Sequence, residues 1–170
     1  MESDAPTGDG DARIRIVWGT ATGPTALASY DAALAEAGVE NYNLVTVSSI
    51  VPPGATVEPV GTAPDLGTAG NRLTVVQARA TVGPESTDER ATAGLSWATG
   101  PGPGLFYEVA GAFDESVCRD ELTRGLDAGR DLRDWTFEAT DERIASVARP
   151  ETGHATAVVL GVYGVSEPIF

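Results

Sequence analysis

Residues 43–57 read NLVTVSSIVPPGATV, so two adjacent serines stand between an apolar run and a Pro-Pro-Gly turn. The apolar residues within NYNLVTVSSIV, residues 41–51, predict one β-strand that the prolines end. Serine is common where a strand passes into a loop, and Ser48-Ser49 by itself favours such a transition. Two adjacent hydroxyls on a rigid backbone also suit a reaction in which a serine acts as a nucleophile. The rest of the chain must decide between the two interpretations.

Strand and helix patterns flank this stretch on both sides. Residues 13–19 alternate and predict a strand, and a helix is predicted from Pro24 to Gly38. Further strands are predicted at residues 72–82, 91–99, 104–113 and 156–165, a second helix at 115–134, a loop at 58–71, and an ambiguous segment, readable as two short strands, at 135–147. Many strands with two main helices predict an α+β sandwich.

The length of 170 residues suits one domain with a sizeable core. Residues 1–12 read as a disordered acidic tail, and residues 13–170 as a single domain. The start of the chain does not resemble a signal peptide, and no apolar run is long enough to span a membrane. The expected location is therefore the cytoplasm.

The charge of the chain restricts its partners. It carries 25 acidic and 11 basic residues, a formal net charge of -14, and every basic residue is arginine. Such a surface repels nucleic acid and anionic membranes, so neither is an expected partner. High salt screens the self-repulsion, which favours a halophile over a merely acidic mesophile protein. A chain without lysine cannot hold pyridoxal phosphate as an internal Schiff base.

The residues that most often carry catalysis or metals are scarce. Cys118 and His154 are single and distant in the sequence, so neither an intramolecular disulfide nor a metal site is expected. His154 is interpreted as structural or solvated. The chain has no phosphate-binding Walker sequence and no GxSxG elbow around a serine.

Two acidic residues fall where apolar residues are expected. Leu27, Asp31 and Leu34 share one face of the predicted first helix, so Asp31 interrupts the stripe that should pack inward. A carboxylate there needs an arginine or a cationic ligand, or else lies at the edge of the stripe and reaches water. Glu108 shares a strand face with Phe106, which suits a general acid, although periodicity alone slightly favours a strand face that meets solvent.

The run NYNLVTVSSIVPPGA closely resembles the self-processing segment of pyruvoyl-dependent arginine decarboxylases. The flanks SYDAALAEAGVENYNL, GLFYEVAG and RDW agree with that family, and the resemblance covers about residues 13–165. Its core, NLxxxSSIxPP, is far more specific than a short isolated motif. Gly54 departs from the pattern, because an acidic residue is often found after the prolines.

The resemblance implies a mature enzyme cut between Ser48 and Ser49. The Ser49 hydroxyl would attack the Ser48 carbonyl, and residue 49 would become a pyruvoyl cofactor, with neither pyridoxal phosphate nor metal. The products would be a β chain, residues 1–48, and an α chain, residues 49–170. The implied fold is a four-layer α/β/β/α sandwich, assembled as a homotrimer with active sites at subunit interfaces.

The implied reaction is decarboxylation of L-arginine to agmatine and carbon dioxide in polyamine biosynthesis. Asn43 would polarise a carbonyl or orient the substrate, and Glu108 would return a proton to the α-carbon. Asp31 would pair with the guanidinium, and Leu27 and Ile50 would form apolar walls. The alternatives are a pyruvoyl enzyme for another amino acid and an uncleaved, non-catalytic oligomeric module.

Overall fold

The structure, a computed structural model, describes residues 12–170, and the predicted acidic tail falls outside these residues apart from Ala12. The described part contains two sheets and two α-helices, which confirms the mixed α+β class. The elements are β1 (Arg13–Gly23), α1 (Ala26–Ala37), β2 (Asn43–Thr46), β3 (Ile50–Val51), β4 (Thr56–Gly61), β5 (Arg72–Val82), β6 (Arg90–Thr99), β7 (Gly104–Gly111), α2 (Glu115–Asp131), β8 (Ala139–Ala148) and β9 (His154–Tyr163).

The strands form two separate sheets. The first sheet has the order β2-β5-β9-β1-β4, and the second has the order β3-β7-β6-β8. The second sheet is antiparallel throughout, whereas β2 and β4 pair in parallel with β5 and β1 at the two edges of the first. The serine pair therefore lies between β2, in one sheet, and β3, in the other.

The main core lies between the two sheets. The alternation at the start of β1 turns Ile14 and Ile16 into this core, where they meet Phe106 of β7 and Trp97 of β6. A second cluster on the opposite face of the first sheet includes Leu34 of α1. Both faces of the first sheet are thus covered, and its central strands are buried along most of their length.

Helix α1 is capped at both ends and packs on β1 and β9. Thr25 accepts a hydrogen bond from the Ala28 N–H at its N-terminus, and Gly38 takes the left-handed conformation, with φ of 85°, at its C-terminus. The buried residues of the helix are Ser29, Ala33, Leu34 and Ala37.

Of the two positions left open for Asp31, the structure shows the one that reaches water and not the inward one. Asp31 is exposed, and Leu27 is 74% exposed. The reason is a rotation of the packed face, since Ser29, Ala33 and Ala37 follow one another at helical spacing and lie against the sheet. The outer face of α1 therefore presents a leucine and a carboxylate together.

Helix α2 packs on β6 and β7 of the second sheet. The Asp114 carboxylate caps it by accepting the Val117 N–H, and the buried face contains Cys118, Leu122 and Leu126. Burial raises the pKa of the Cys118 thiol to about 11. Cys118 therefore remains a thiol and serves as a small core residue.

Three predicted elements need correction. The single strand at residues 41–51 is two strands, β2 and β3, because the chain leaves the first sheet and joins the second at the serines. The predicted loop at 58–71 begins inside β4, which tolerates Pro59 because it is an edge strand. The ambiguous segment at 135–147 contains one strand, β8, which pairs with β6 along its length. None of the helices in residues 12–170 is long and apolar enough to cross a membrane.

Candidate active site

The backbone on either side of Ser48-Ser49 is held by main-chain hydrogen bonds to different sheets. Upstream, the Val47 N–H donates to the Val75 carbonyl of β5, at 2.9 Å. Downstream, Ile50 pairs with Leu105 of β7. The serine–serine peptide is therefore the link by which the chain crosses from the first sheet to the second.

The two carbonyls of the serine pair each accept a backbone N–H. The Ile50 N–H donates to the Ser48 carbonyl at 3.0 Å, which closes a three-residue turn around Ser49. The Phe106 N–H of β7 donates to the Ser49 carbonyl at 2.8 Å. Donors aimed at a carbonyl stabilise negative charge that develops on its oxygen during nucleophilic attack. The Ser48 carbonyl is thus both polarised and beside the Ser49 hydroxyl.

The side chain of Ser49 contacts a carboxylate. Its Oγ donates a hydrogen bond to Oε1 of Glu108 at 2.9 Å, although the two residues lie 59 positions apart. Glu108 is part-buried on β7, on the same strand face as Phe106, as the alternation predicted. A carboxylate at this distance can accept the hydroxyl proton as a general base or return a proton as an acid.

A cleft of about 690 Å³ opens beside this pair, between β7 and α2. Ser48, Ser49, Ile50 and Glu108 all line it, and the lining is mainly apolar. Helix α2 contributes glycines at its cleft face, and a Cβ at Gly125 would collide with the Tyr107 ring. The volume is that of an ordinary small-molecule site with few polar groups, which suits a substrate the size of an amino acid.

Tyr163 is a residue of this site that the sequence interpretation did not single out. Its hydroxyl donates to the Ile50 carbonyl at 2.8 Å, and its ring lies edge-on to Phe106 with centroids 6.2 Å apart. Burial, together with the nearby Glu108 carboxylate, raises the pKa of the Tyr163 phenol to about 12. The apolar strand that ends at Tyr163 gave no signal of this contact, which depends on the packing of the two sheets.

The structure gathers only part of the predicted site within one chain. Ser48, Ser49, Ile50 and Glu108 lie together, whereas Asn43, Asp31 and Leu27 are not among the residues that line the cleft. The Asn43 amide donates to the Gly70 carbonyl at 2.7 Å at the start of β2. Asp31 and Leu27 lie on the outer face of α1, which packs on the first sheet.

Within residues 12–170, no three or more His, Cys, Asp or Glu side chains gather in a way that could hold a metal ion. His154, at the start of β9, lies against Gly83.

Fold and site together define a two-sheet α+β protein that holds a serine hydroxyl against a carboxylate where the chain crosses between sheets. The family of pyruvoyl-dependent arginine decarboxylases matches residues 13–168. The chain therefore belongs to the pyruvoyl-dependent arginine decarboxylase family, as its resemblance to that family predicted.

Individual relatives agree with this assignment. A protein of Halobacterium salinarum named pyruvoyl-dependent arginine decarboxylase is 52% identical over 160 residues, which cover 93% of this chain and 98% of the relative. Proteins of the same name from Thermococcus sibiricus and Pyrococcus horikoshii are 27% and 28% identical over 144 and 142 residues. These alignments cover 83% and 82% of this chain and 90% and 89% of the relatives.

Proposed function

We propose that this chain is a self-processing enzyme that decarboxylates L-arginine to agmatine and carbon dioxide, for polyamine biosynthesis. The observation that carries the proposal is the 2.9 Å contact between Ser49 Oγ and Glu108. It lies next to the Ser48–Ser49 peptide bond, whose flanking residues are held by backbone hydrogen bonds on both sides. Family membership supports it, because the named relatives are pyruvoyl-dependent arginine decarboxylases. Residues 13–170 act as one domain in this proposal.

Self-cleavage begins when Ser49 Oγ adds to the carbonyl carbon of Ser48 and Glu108 accepts the hydroxyl proton. The Ile50 N–H stabilises the resulting oxyanion, and the C–N bond then breaks, which leaves an ester and a free amine on residue 49. Loss of the α-proton of residue 49 expels the Ser48 carboxylate from Cβ and leaves dehydroalanine. Its imine tautomer takes up water and releases ammonia, so residue 49 ends as a pyruvoyl group.

The position of the cut suits a protein that must stay assembled. The β chain, residues 1–48, contains β1, α1 and β2, and the α chain, residues 49–170, contains the remaining strands and α2. Strand β1 pairs with β9 on one side and β4 on the other, and both of these belong to the α chain. The ladder contacts of β1 therefore hold the fragments together after the peptide bond is lost.

The surroundings of residue 49 fit a pyruvoyl group. When present, that group supplies an electron sink for amino-acid decarboxylation, in the role that pyridoxal phosphate plays elsewhere. The Phe106 N–H polarises the carbonyl of residue 49, and Glu108 stands where it can return a proton to the substrate α-carbon. Ile50 and the other apolar side chains of the cleft form the wall beside the reacting atoms.

Recognition of the guanidinium is assigned to Asp31, by a bidentate carboxylate contact. Because Asp31 and Leu27 lie on the outer face of α1, they would serve the cleft of a neighbouring subunit in a homotrimer. Asn43 is proposed to orient a carbonyl during processing or turnover. The packing of α1 on the first sheet and α2 on the second supports a four-layer α/β/β/α arrangement.

The composition supports the proposal that the enzyme works in the cytoplasm of a halophile. A net charge of -14 without lysine suits a high-salt cytoplasm, and one relative comes from Halobacterium salinarum. Removing salt lengthens the range of self-repulsion, so the folded trimer should lose stability when it is dialysed to low salt. A melting temperature that is independent of salt would contradict this adaptation.

Denaturing mass analysis of protein purified in high salt tests the central proposal. Two fragments of 48 and 122 residues (170 - 48) are expected, the larger with a blocked start that borohydride reduces. A single intact chain that resists borohydride and amines would support the non-catalytic module instead. If the chain is cut but turns over another amino acid in preference to arginine, the chemistry stands and the substrate assignment fails.

A further inference from the structure

Ile50 makes two of the hydrogen bonds that hold the segment beginning with Ser49 in place. Its N–H donates to the Ser48 carbonyl at 3.0 Å, and its carbonyl accepts the Tyr163 hydroxyl at 2.8 Å. Strand β3 contains only Ile50 and Val51, so this segment pairs with its neighbouring strand β7 at only two positions. A small displacement of Ile50 would move the donor away from the carbonyl that Ser49 must attack.

Tyr163 reaches this segment from the opposite sheet. It is the last residue of β9, in the first sheet, whereas Ile50 belongs to the second. The edge-on contact with Phe106 fixes the direction of the ring, and Phe106 is itself the residue whose N–H holds the Ser49 carbonyl. The phenol thus joins the two sheets at the point where the chain crosses between them.

The chemistry of the phenol suits a permanent donor. With its pKa raised to about 12, the Tyr163 phenol stays protonated near neutral pH, so it can donate a hydrogen bond to the Ile50 carbonyl. Tyr163 and Ile50 also lie on the same side of the proposed cut. Their hydrogen bond therefore survives cleavage and is available in both the processing and the turnover steps.

We propose that Tyr163 is a positioning residue, which anchors the Ile50 carbonyl and thereby orients residue 49 for both self-cleavage and decarboxylation. The inference deepens the proposed function and rests on it for the identity of the reaction. The anchor acts through Ile50 and touches neither the substrate nor the scissile carbonyl.

The test compares Tyr163→Phe with Tyr42→Phe. Tyr42 is a matched control, because its hydroxyl also donates to a backbone carbonyl, that of Gly67, at 2.7 Å. Loss of one such hydrogen bond corresponds to about threefold to tenfold in a rate that depends on it. Tyr163→Phe is expected to slow self-cleavage and to lower kcat of the cut enzyme by about that factor, with KM for arginine within about twofold. Tyr42→Phe should leave both rates unchanged.

A second measurement tests the Tyr163–Ile50 hydrogen bond without depending on cleavage or turnover. In the uncut Ser49→Ala background, hydrogen exchange of peptides that cover residues 47–53 should be about fivefold faster with Tyr163→Phe and unchanged with Tyr42→Phe. If exchange is equal with and without Tyr163→Phe, or if Tyr163→Phe cleaves and turns over at wild-type rates, the proposed role of Tyr163 is wrong. If the wild-type chain is never cut, the proposed function fails, and the exchange comparison still decides whether Tyr163 holds Ile50.

Discussion

The two sides of the Ser48–Ser49 bond are held in different ways. Upstream, β2 has four residues and a regular parallel ladder with β5. Downstream, β3 has two residues, and the hydroxyl of Tyr163 and the N–H of Phe106 reinforce the segment. The half with the weaker secondary structure has the more specific tertiary contacts, and it is the half that keeps residue 49. In this site, long-range contacts reinforce a short strand pairing between β3 and β7.

The largest effect is expected from breaking the two serines separately. Ser49→Ala removes the attacking hydroxyl, so the chain should remain wholly uncut. Ser48→Ala keeps the carbonyl that is attacked and should still cleave, within about tenfold of wild type, because only the backbone of residue 48 reacts. Denaturing gels over time distinguish the two. Equal loss of cleavage in both variants would mean that the two sides contribute alike.

Glu108→Gln tests the downstream carboxylate. The amide can no longer accept the Ser49 proton, so self-cleavage should slow, and it can no longer return a proton to the substrate, so kcat should fall by about 10²-fold or more while the fold is retained. The measurement is arginine turnover by the cut fraction, with circular dichroism as the check on folding. Glu121→Gln is the control, because its carboxylate pairs only with Arg124 on the exposed side of α2. Activity close to wild type in Glu108→Gln would remove Glu108 from the mechanism.

Asp31→Asn tests whether the upstream fragment contributes substrate recognition. Losing a charge-assisted contact with the guanidinium should raise KM for arginine by about 10-fold to 100-fold, with self-cleavage unchanged. Steady-state kinetics with arginine measure this effect, and Glu40→Gln, another exposed acid, serves as the control. An unaltered KM would assign the guanidinium to another residue.

The smallest effect concerns the caps of the two helices. Helix α1 is capped by the uncharged Thr25, and α2 by Asp114, whose pKa is lowered by the Val117 N–H and the Ser116 hydroxyl. Because this pKa is lower in the folded state, the cap stabilises above the unfolded pKa and is lost as the pH falls through the folded one. In a plot of melting temperature against pH, Asp114→Asn should reduce the fall in melting temperature on the acid side. Thr25→Asn should leave the shape of that plot unchanged. If Thr25→Asn changes the pH dependence and Asp114→Asn does not, the acid sensitivity does not come from the Asp114 cap.

Local patterns predicted most of the elements. Strands β1 and β5 and both helices follow from alternation, helical spacing and caps within a few residues. The division of residues 41–51 into two strands did not follow, because alternation carries no information about which sheet a strand joins. Strand β4 was missed because proline and glycine weaken the strand signal, although an edge strand accepts both.

The candidate site shows the same division. Residue type, strand face and resemblance predict Ser48, Ser49 and Glu108 as site residues, and the structure brings them together. The 2.9 Å contact joins Ser49 and Glu108, which are 59 positions apart, and it depends on the pairing of Ile50 with Leu105. The sequence leaves Asp31 between an inward and a solvent-facing position on α1, and the structure shows it exposed.

The sequence by itself determined most of the elements and the family, and it predicts the bond at which the chain is cut, because these depend on local pattern and on a specific run of residues. Tertiary structure alone decided that this bond crosses between two sheets, that Glu108 reaches Ser49, and that Tyr163 holds Ile50 from 113 positions away. The physical reason is that hydrogen bonds between distant side chains and backbone groups exist only once both sheets have packed around their common core.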